Sequence, residues 1–142
     1  PLDRLREGLR RYVAFGLSHP QHYLATFVAV PREQLPEDVA RYARPASNGM
    51  RALGILHATV QACSSARVIR AVDAEATTRA LWAAIHGVTA LLIQMPNFAW
   101  GDPGAVVEAL IDTQLRGLQR PAARGAAPAR ARTSARRRKP AR

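Results

Sequence analysis

The stretch Ala80-Leu81-Trp82-Ala83-Ala84-Ile85-His86-Gly87 decides the fold that this sequence predicts. It lies inside the longest helical pattern of the chain, residues 73–95, and nearly every residue around it is apolar. A helix that is apolar on most of its sides cannot face water, so other helices must surround it. We therefore expect this segment to be the central helix of an all-α bundle.

Prolines, capping residues and helical spacing divide the rest of the chain around this central helix. The clearest start is Asp102-Pro103, a capping residue followed by proline at the first helical position. Asp73 caps the central helix in the same way. The sequence predicts a helical bundle of about six helices, over residues 2–17, 21–29, 36–44, 48–65, 73–95 and 103–118.

Charge is distributed unevenly along the chain. The net charge is +11, and residues 120–142 hold nine of the 21 Lys and Arg residues but no acidic residue. The other twelve face all ten acids in residues 1–119, so that part carries a net charge of only +2. Residues 120–142 also lack helical periodicity and core-forming residues other than Ala. We expect a folded domain over residues 1–119 and a disordered basic tail over 120–142.

Several classes of protein are not supported by the sequence. Cys63 is the one cysteine, so no internal disulfide can form. The four histidines lack acids or cysteines at ligand spacing, and no Gly-rich phosphate loop is present. Cys63 and Ser64 lie near His57, but no orienting acid accompanies them. We therefore predict neither an enzyme nor a metal or cofactor site.

The sequence also predicts a protein that is not associated with membranes. Residues 1–4 start no apolar segment of the kind that begins a secretory signal. The longest nearly apolar run, residues 80–93, has 14 residues, whereas a membrane-spanning helix needs roughly 20. We expect a soluble, cytoplasmic protein.

Several motifs together resemble the C-terminal regulatory domain of TetR-family transcriptional regulators, in the subgroup that carries a Trp-His-Gly signature. The motifs begin with an aromatic helix, Leu5–Phe15, which is followed by His19-Pro20 and a short aromatic helix. The Trp82, His86 and Gly87 stretch comes next, and the helix Val106–Leu118 closes the pattern. The resemblance covers about residues 1–119.

The resemblance implies a two-domain dimeric regulator of transcription. In that family an N-terminal helix-turn-helix binds operator DNA, and the C-terminal helices bind a small-molecule effector and form the dimer. No helix-turn-helix pair with a basic recognition helix is found in residues 1–142. We therefore expect effector binding and homodimerisation from this chain, and expect the DNA-binding region to precede Pro1.

Candidate effector-binding residues lie on three of the predicted helices. Trp82 and His86 are spaced four apart and share one helix face. A mostly apolar cavity with a few polar groups is the usual composition of a ligand site. Ordinary core packing is the competing interpretation for each of these side chains. The candidate set is Tyr23, Phe27, Met50, Leu53, His57, Gln61, Trp82 and His86.

The last two predicted helices are more apolar than one small core requires. Contiguous exposed apolar surface usually marks a protein interface. Two copies that pair these helices would form a four-helix contact with two-fold symmetry. The predicted interface residues are Ile85, Thr89, Leu92, Val107, Leu110, Ile111, Gln114 and Leu118.

The basic tail supports an alternative function, weak binding of nucleic acid. Arg136, Arg137, Arg138 and Lys139 are consecutive cations that could contact phosphates. Such binding would depend on salt and not on base sequence. The competing interpretation is a solvated tail with no partner.

Overall fold

The computed structural model describes residues 1–27 and 48–120, and within them the chain is a helical bundle. The predicted all-α class is confirmed. The predicted helix over 36–44 and the tail over 121–142 lie outside the described residues. The helices described are α1 (Leu2–Ser18), α2 (Pro20–Phe27), α3 (Asn48–Ser65), α4 (Ala74–Gln94) and α5 (Pro103–Leu118).

Both predicted capping residues start their helices. Asp73 Oδ1 accepts hydrogen bonds from the backbone N–H groups of Glu75, at 2.9 Å, and Ala76, at 3.1 Å. Asp102 Oδ1 accepts one from the N–H of Gly104 at 2.9 Å, and Pro103 is the first residue of α5. Each cap satisfies N–H groups that lack a partner within the helix, which is worth about 1 kcal/mol.

Helix α4 is the centre of the bundle, as its apolar sequence predicts. It packs against α1, α3 and α5. Its inner side contributes Leu81, Ile85, Val88 and Leu92 to the core. The core residues from the other elements are Leu5, Leu9 and Val13 of α1, Val60 and Cys63 of α3, Ile69 of the α3–α4 connector, and Val107, Ile111, Leu115 and Leu118 of α5.

By length and composition alone, α4 could cross a membrane, since it has 21 residues and a mean hydropathy of 1.2. The helix is longer than the uninterrupted apolar run in the sequence because polar residues also belong to it. Thr78 and Thr89 are buried, and Arg79 pairs with Glu75 on its surface. Of its most apolar 18-residue window, 28% is buried, in contacts with α1, α3 and α5.

Helix α1 runs along α5 in the opposite direction and is joined to it by ion pairs. Arg10 donates two hydrogen bonds to the Glu108 carboxylate, from Nε to Oε1 and from Nη2 to Oε2, each at 2.7 Å. Arg6 Nη2 lies 2.5 Å from Asp112 Oδ1. The hydrogen bonds from Arg10 and Arg6 lower the pKa of Glu108 and of Asp112, respectively. We call these four residues the ion-pair ladder.

Helices α1 and α4 run parallel and approach closely at Gly16. A Cβ atom added there would overlap Thr89 Cγ2 and lie 3.1 Å from Tyr23 Cδ2. Only a glycine therefore allows the two helices this contact. The contact brings the C-terminal half of α1 and the start of α2 against the middle of α4.

Candidate functional site

Five ring-bearing side chains meet where α1, α2 and α4 come together. Tyr23 is in the centre: its ring centroid lies 5.1 Å from that of Phe27 and 5.5 Å from that of His86. Trp82 stacks on His86 at 5.4 Å, with 29° between the rings. Tyr12 joins from α1, 6.0 Å from Tyr23. We call Tyr12, Tyr23, Phe27, Trp82 and His86 the aromatic cluster.

The turn between α1 and α2 positions the tyrosine at the centre of the cluster. His19 ends α1, and its N–H donates to Phe15 O at 3.0 Å. Pro20 then begins α2, because its fixed φ suits the first helical position. The new helix turns back over α4 and places Tyr23, which is 0% exposed, against His86.

The polar atoms of the cluster form one hydrogen-bonded group. Tyr23 Oη lies 2.6 Å from His86 Nδ1, and Tyr12 Oη lies 3.1 Å from the same nitrogen. The two phenol oxygens are 3.3 Å apart. A phenol can donate or accept, but the 2.6 Å contact is shorter than the usual N–H···O bond and fits an O–H donor. We therefore assign Nδ1 as the acceptor, which places the hydrogen of the neutral imidazole on Nε2. This tautomer is assigned from the hydrogen-bond network.

Burial favours the neutral forms of His86 and Tyr23. Desolvation lowers the pKa of His86, because a buried imidazole is less easily charged. Desolvation, reinforced by the hydrogen bond with Tyr12, raises the pKa of the Tyr23 phenol. The cluster therefore presents aromatic surface with uncharged donors and acceptors.

The structure brings together four of the eight predicted effector-binding residues: Tyr23, Phe27, Trp82 and His86. The start of α3 is adjacent to them, since a Cβ on Gly49 would lie 3.8 Å from Phe27 Cε1. Met50 and Leu53 occupy the first two turns of that helix.

The remaining two predicted residues, His57 and Gln61, lie elsewhere along α3. His57 Nδ1 is 3.4 Å from Thr78 Oγ1. Thr78 precedes His86 by eight residues, or about 12 Å along a helix. Gln61 is exposed. His57 is thus a neighbour of the start of α4, away from the aromatic cluster.

Sequence reasoning missed Tyr12, which contributes one of the two phenols. Its signal was available in the pattern of α1. Tyr12 lies beside Val13 on the apolar stripe of that helix, four residues before Gly16. A tyrosine at the edge of a buried stripe normally brings its hydroxyl to a polar partner inside, and here that partner is His86.

Most of the predicted interface residues belong to the interior of the single chain. Leu110 and Gln114 are the two of the eight that remain partly exposed. The six buried ones are Ile85, Thr89, Leu92, Val107, Ile111 and Leu118, each 8% exposed or less.

A groove lies between α4 and α5, on a different face of α4 from Trp82 and His86. It has a volume of about 370 Å³ and is open to solvent. The buried Leu81 and Leu118 and the exposed connector residue Arg70 line it. The other lining residues are small or uncharged: Ala76, Thr77, Ala80, Thr113, Gln114 and Gly117.

The sequence analysis also considered a basic tail, a metal site and Cys63. Arg136, Arg137, Arg138 and Lys139 lie beyond residue 120. Within residues 1–27 and 48–120, no group of three or more His, Cys, Asp or Glu side chains could hold a metal ion. Cys63 is buried, and burial raises the pKa of its thiol.

Comparison with known proteins gives one match. A family model described as a tetracyclin repressor-like C-terminal domain matches residues 5–118, which include all five helices except the first residues of α1. No curated protein and no solved structure matches the chain significantly.

Proposed function

The chain belongs to the tetracycline repressor-like C-terminal domain family, and we propose on that basis that it is the effector-binding and dimerisation domain of a transcriptional regulator. Domains of this family are regulatory and not enzymatic. In this proposal a small apolar or amphipathic effector binds at the aromatic cluster. The observation that carries the proposal is the position of that cluster, where the first two helices meet the central one.

The composition and exposure of the cluster support effector binding there. Ligand sites are mostly apolar surfaces with a few polar atoms that fix the orientation of the ligand. The cluster has four aromatic rings around His86, and Trp82 remains 36% exposed. A tryptophan that only filled the core would be more fully buried. Its exposed surface leaves room for a ligand to contact the indole.

A fluorescent probe tests the effector site on the full chain. N-phenyl-1-naphthylamine is uncharged and becomes bright in apolar surroundings. We expect saturable binding with one site per chain, and at least tenfold weaker binding in Trp82→Arg. Gln61→Arg adds the same charge to an exposed position on α3, so it should bind like the wild type. Equal binding by both variants, or no saturable binding by the wild type, would exclude the cluster as the effector site.

We propose that the homodimer forms through the outer face of α4 and α5, in place of the buried residues predicted from the sequence. On α4 the exposed or partly exposed residues recur every three or four positions, from Ala80 to Leu91. Several are small, which lets helix backbones approach each other. We define the outer face as Ala80, Ala83, Gly87, Leu91, Ala109, Leu110, Thr113, Gln114 and Gly117.

Two leucines of equal exposure provide a matched test of this dimer. Leu91 lies on the outer face and is 45% exposed, and Leu17 lies on α1 and is 44% exposed. We expect sedimentation of the full chain to report a dimer for the wild type and for Leu17→Glu, and a monomer for Leu91→Glu. A wild-type monomer, or a Leu91→Glu dimer as stable as the wild type, would argue against this interface.

Helix α1 connects the proposed effector site to the rest of a regulator. Its Tyr12 reaches His86, and its Arg6 and Arg10 pair with α5. As the first helix of the domain, α1 is the element closest in sequence to a helix-turn-helix region that would precede it. An effector that displaces Tyr12 or Tyr23 would therefore move α1 and alter operator binding. Such a regulator would act in the cytoplasm.

A second candidate function is non-specific nucleic-acid binding by the tail. The supporting observation is its composition, nine Lys or Arg residues and no acid in residues 120–142. Binding that depends on these cations should weaken steeply with salt. Removing residues 121–142 and measuring DNA affinity between low and high salt tests this function. Unchanged affinity would exclude the tail.

A further inference from the structure

The hydrogen bonds of His86 fix which edge of its ring donates. If Nδ1 carried the hydrogen, its contact with Tyr23 Oη would be an N–H···O bond, for which about 2.7–3.2 Å is usual. The observed 2.6 Å is shorter and fits an O–H donor, so we assign the Tyr23 hydroxyl as the donor and Nδ1 as the acceptor. Within residues 1–27 and 48–120, all hydrogen bonds of the imidazole ring are made by Nδ1. The Nε2–H group therefore points away from both tyrosines.

Among residues 1–27 and 48–120, the side chains that contact the His86 ring are Tyr12, Tyr23, Phe27 and Trp82, and none of them is charged. Desolvation by burial lowers the pKa of His86. The groups that affect the pKa of Tyr23 are Tyr12 and Thr89, which are both neutral. A carboxylate bound here would lose its hydration without gaining a cation, which is unfavourable. A neutral acceptor would need only one donor.

Aromatic rings surround the imidazole. The planes of Tyr23 and Trp82 lie at 28° and 29° to it, with ring centroids 5.5 Å and 5.4 Å away. Phe27 approaches it edge-on, at 5.6 Å and 70°. A molecule that accepted a hydrogen bond from Nε2–H would therefore lie next to aromatic rings.

We propose that the effector is an uncharged, mainly apolar molecule with one hydrogen-bond acceptor, such as a ketone, lactone, ester or heteroaromatic nitrogen, that accepts from His86 Nε2–H. Organic acids are disfavoured. This inference rests on the proposed function, because it assumes that the aromatic cluster is the effector site.

Three probes that share the naphthalene ring system separate the contributions of apolar contact, a neutral acceptor and a negative charge to binding. Naphthalene has no acceptor, 1-acetonaphthone has a neutral acceptor, and 1-naphthoate has an anionic one. Each is titrated into the full chain at pH 7.5 as a competitor of N-phenyl-1-naphthylamine. We expect 1-acetonaphthone to bind about fivefold more tightly than naphthalene, the gain from one neutral hydrogen bond. We expect 1-naphthoate to bind at least tenfold more weakly than 1-acetonaphthone.

Two substitutions assign the preference to His86. His86→Phe keeps a ring but removes the donor, so the preference for 1-acetonaphthone over naphthalene should disappear while naphthalene still binds. His86→Gln keeps an N–H donor and should retain a reduced preference. Circular dichroism verifies that each variant is folded, and the wild-type comparison of the three probes stands if either variant is not.

The possible failures are distinguishable. Equal binding of naphthalene and 1-acetonaphthone by the wild type would overturn the acceptor requirement and leave the effector site in place. Tighter binding of 1-naphthoate would overturn the exclusion of acids. If neither the naphthalenes nor N-phenyl-1-naphthylamine bind, the proposed function itself fails.

Discussion

Helix α1 is held on two sides by contacts of opposite character. Toward α4 the contact is buried and uncharged: Gly16 touches Thr89, and Tyr12 reaches His86. Toward α5 it is exposed and ionic, through the ion-pair ladder. Buried groups that lose a partner remain unsatisfied, whereas exposed groups exchange their partner for water. The contact with α4 should therefore determine the position of α1, and the ladder should contribute little.

The two contacts of α1 should also respond to different changes, one to ligand binding and the other to salt and pH. The buried side includes the proposed effector site, so a ligand there changes the contact that holds α1 most strongly. The ladder lies in solvent and responds to salt and to acid pH. Each of the following experiments disrupts one side and leaves the other unchanged.

The largest expected effect is at Gly16. In Gly16→Val the new side chain would overlap Thr89 and crowd Tyr23. Forcing the helices apart should lower the free energy of unfolding by about 1–3 kcal/mol, the usual cost of overpacking. Urea denaturation measures this change.

The control for Gly16 is Gly8→Ala on the same helix. A Cβ at Gly8 meets no atom within 4 Å. This substitution should therefore raise the free energy of unfolding, by about 0.5–1 kcal/mol from helix propensity. If both substitutions are tolerated equally, then the close approach of α1 and α4 does not limit stability.

The next largest effect is expected at Tyr23. Tyr23→Phe keeps the ring but leaves His86 Nδ1 without its shortest hydrogen bond. Loss of a buried partner costs about 1–3 kcal/mol, and Tyr12 can replace part of it, so we expect the lower half of that range. Tyr12→Phe removes the longer bond and should cost less. A larger loss of stability in Tyr12→Phe would show that Tyr12, and not Tyr23, contributes the more stabilising hydrogen bond to His86.

The sequence predicted most of the fold because the relevant signals are local. Apolar periodicity and the caps at Asp73 and Asp102 lie within a few residues of the helices that they define. The central position of α4 was also predicted, because a helix that is apolar on most sides must be covered by other helices. The family resemblance stated from motifs agrees with the family model over residues 5–118.

The site was only partly predictable because it depends on how helices are rotated and shifted against each other. Trp82 and His86 share a helix face in any register, so their pairing could be predicted. Tyr12 and His57 depend on the registers of α1 and α3 against α4, which Gly16 and the helix contacts determine in three dimensions. Similarly, apolar residues such as Ile111 face either a core or a partner, and periodicity alone does not distinguish the two.

The two sides of α1 should also differ in the pH at which they weaken. The pKa of His86 is lowered on folding, so the unfolded chain binds the proton more readily. Its stabilising contribution is complete above the ordinary pKa of about 6.5 and is lost as pH falls through the range below it. Glu108 and Asp112 also have lowered pKa values, but their contribution is lost only below about pH 4.

Urea denaturation between pH 7.5 and pH 3 separates these ranges. We expect stability to begin to fall as the pH drops below about 6.5, and His86→Phe should flatten that part of the curve. His22→Phe is the control, since His22 is exposed on α2 and should leave the decrease intact. A decrease that survives in His86→Phe would have to come from another group.

The smallest effect is expected from the ion-pair ladder. Arg10→Gln removes both hydrogen bonds to Glu108, but Arg6 remains within 3.6 Å of that carboxylate and all three side chains are accessible to water. We expect Arg10→Gln to decrease the free energy of unfolding by less than Tyr12→Phe does. The decrease caused by Arg10→Gln should disappear at high salt, because exposed charges are screened. Arg79→Gln is the control, since it breaks a pair within α4 that joins no second helix. If Arg10→Gln destabilises more than Tyr23→Phe, and does so in high salt, then α1 is held chiefly by α5, and an effector at the aromatic cluster would act on the weaker of its two contacts.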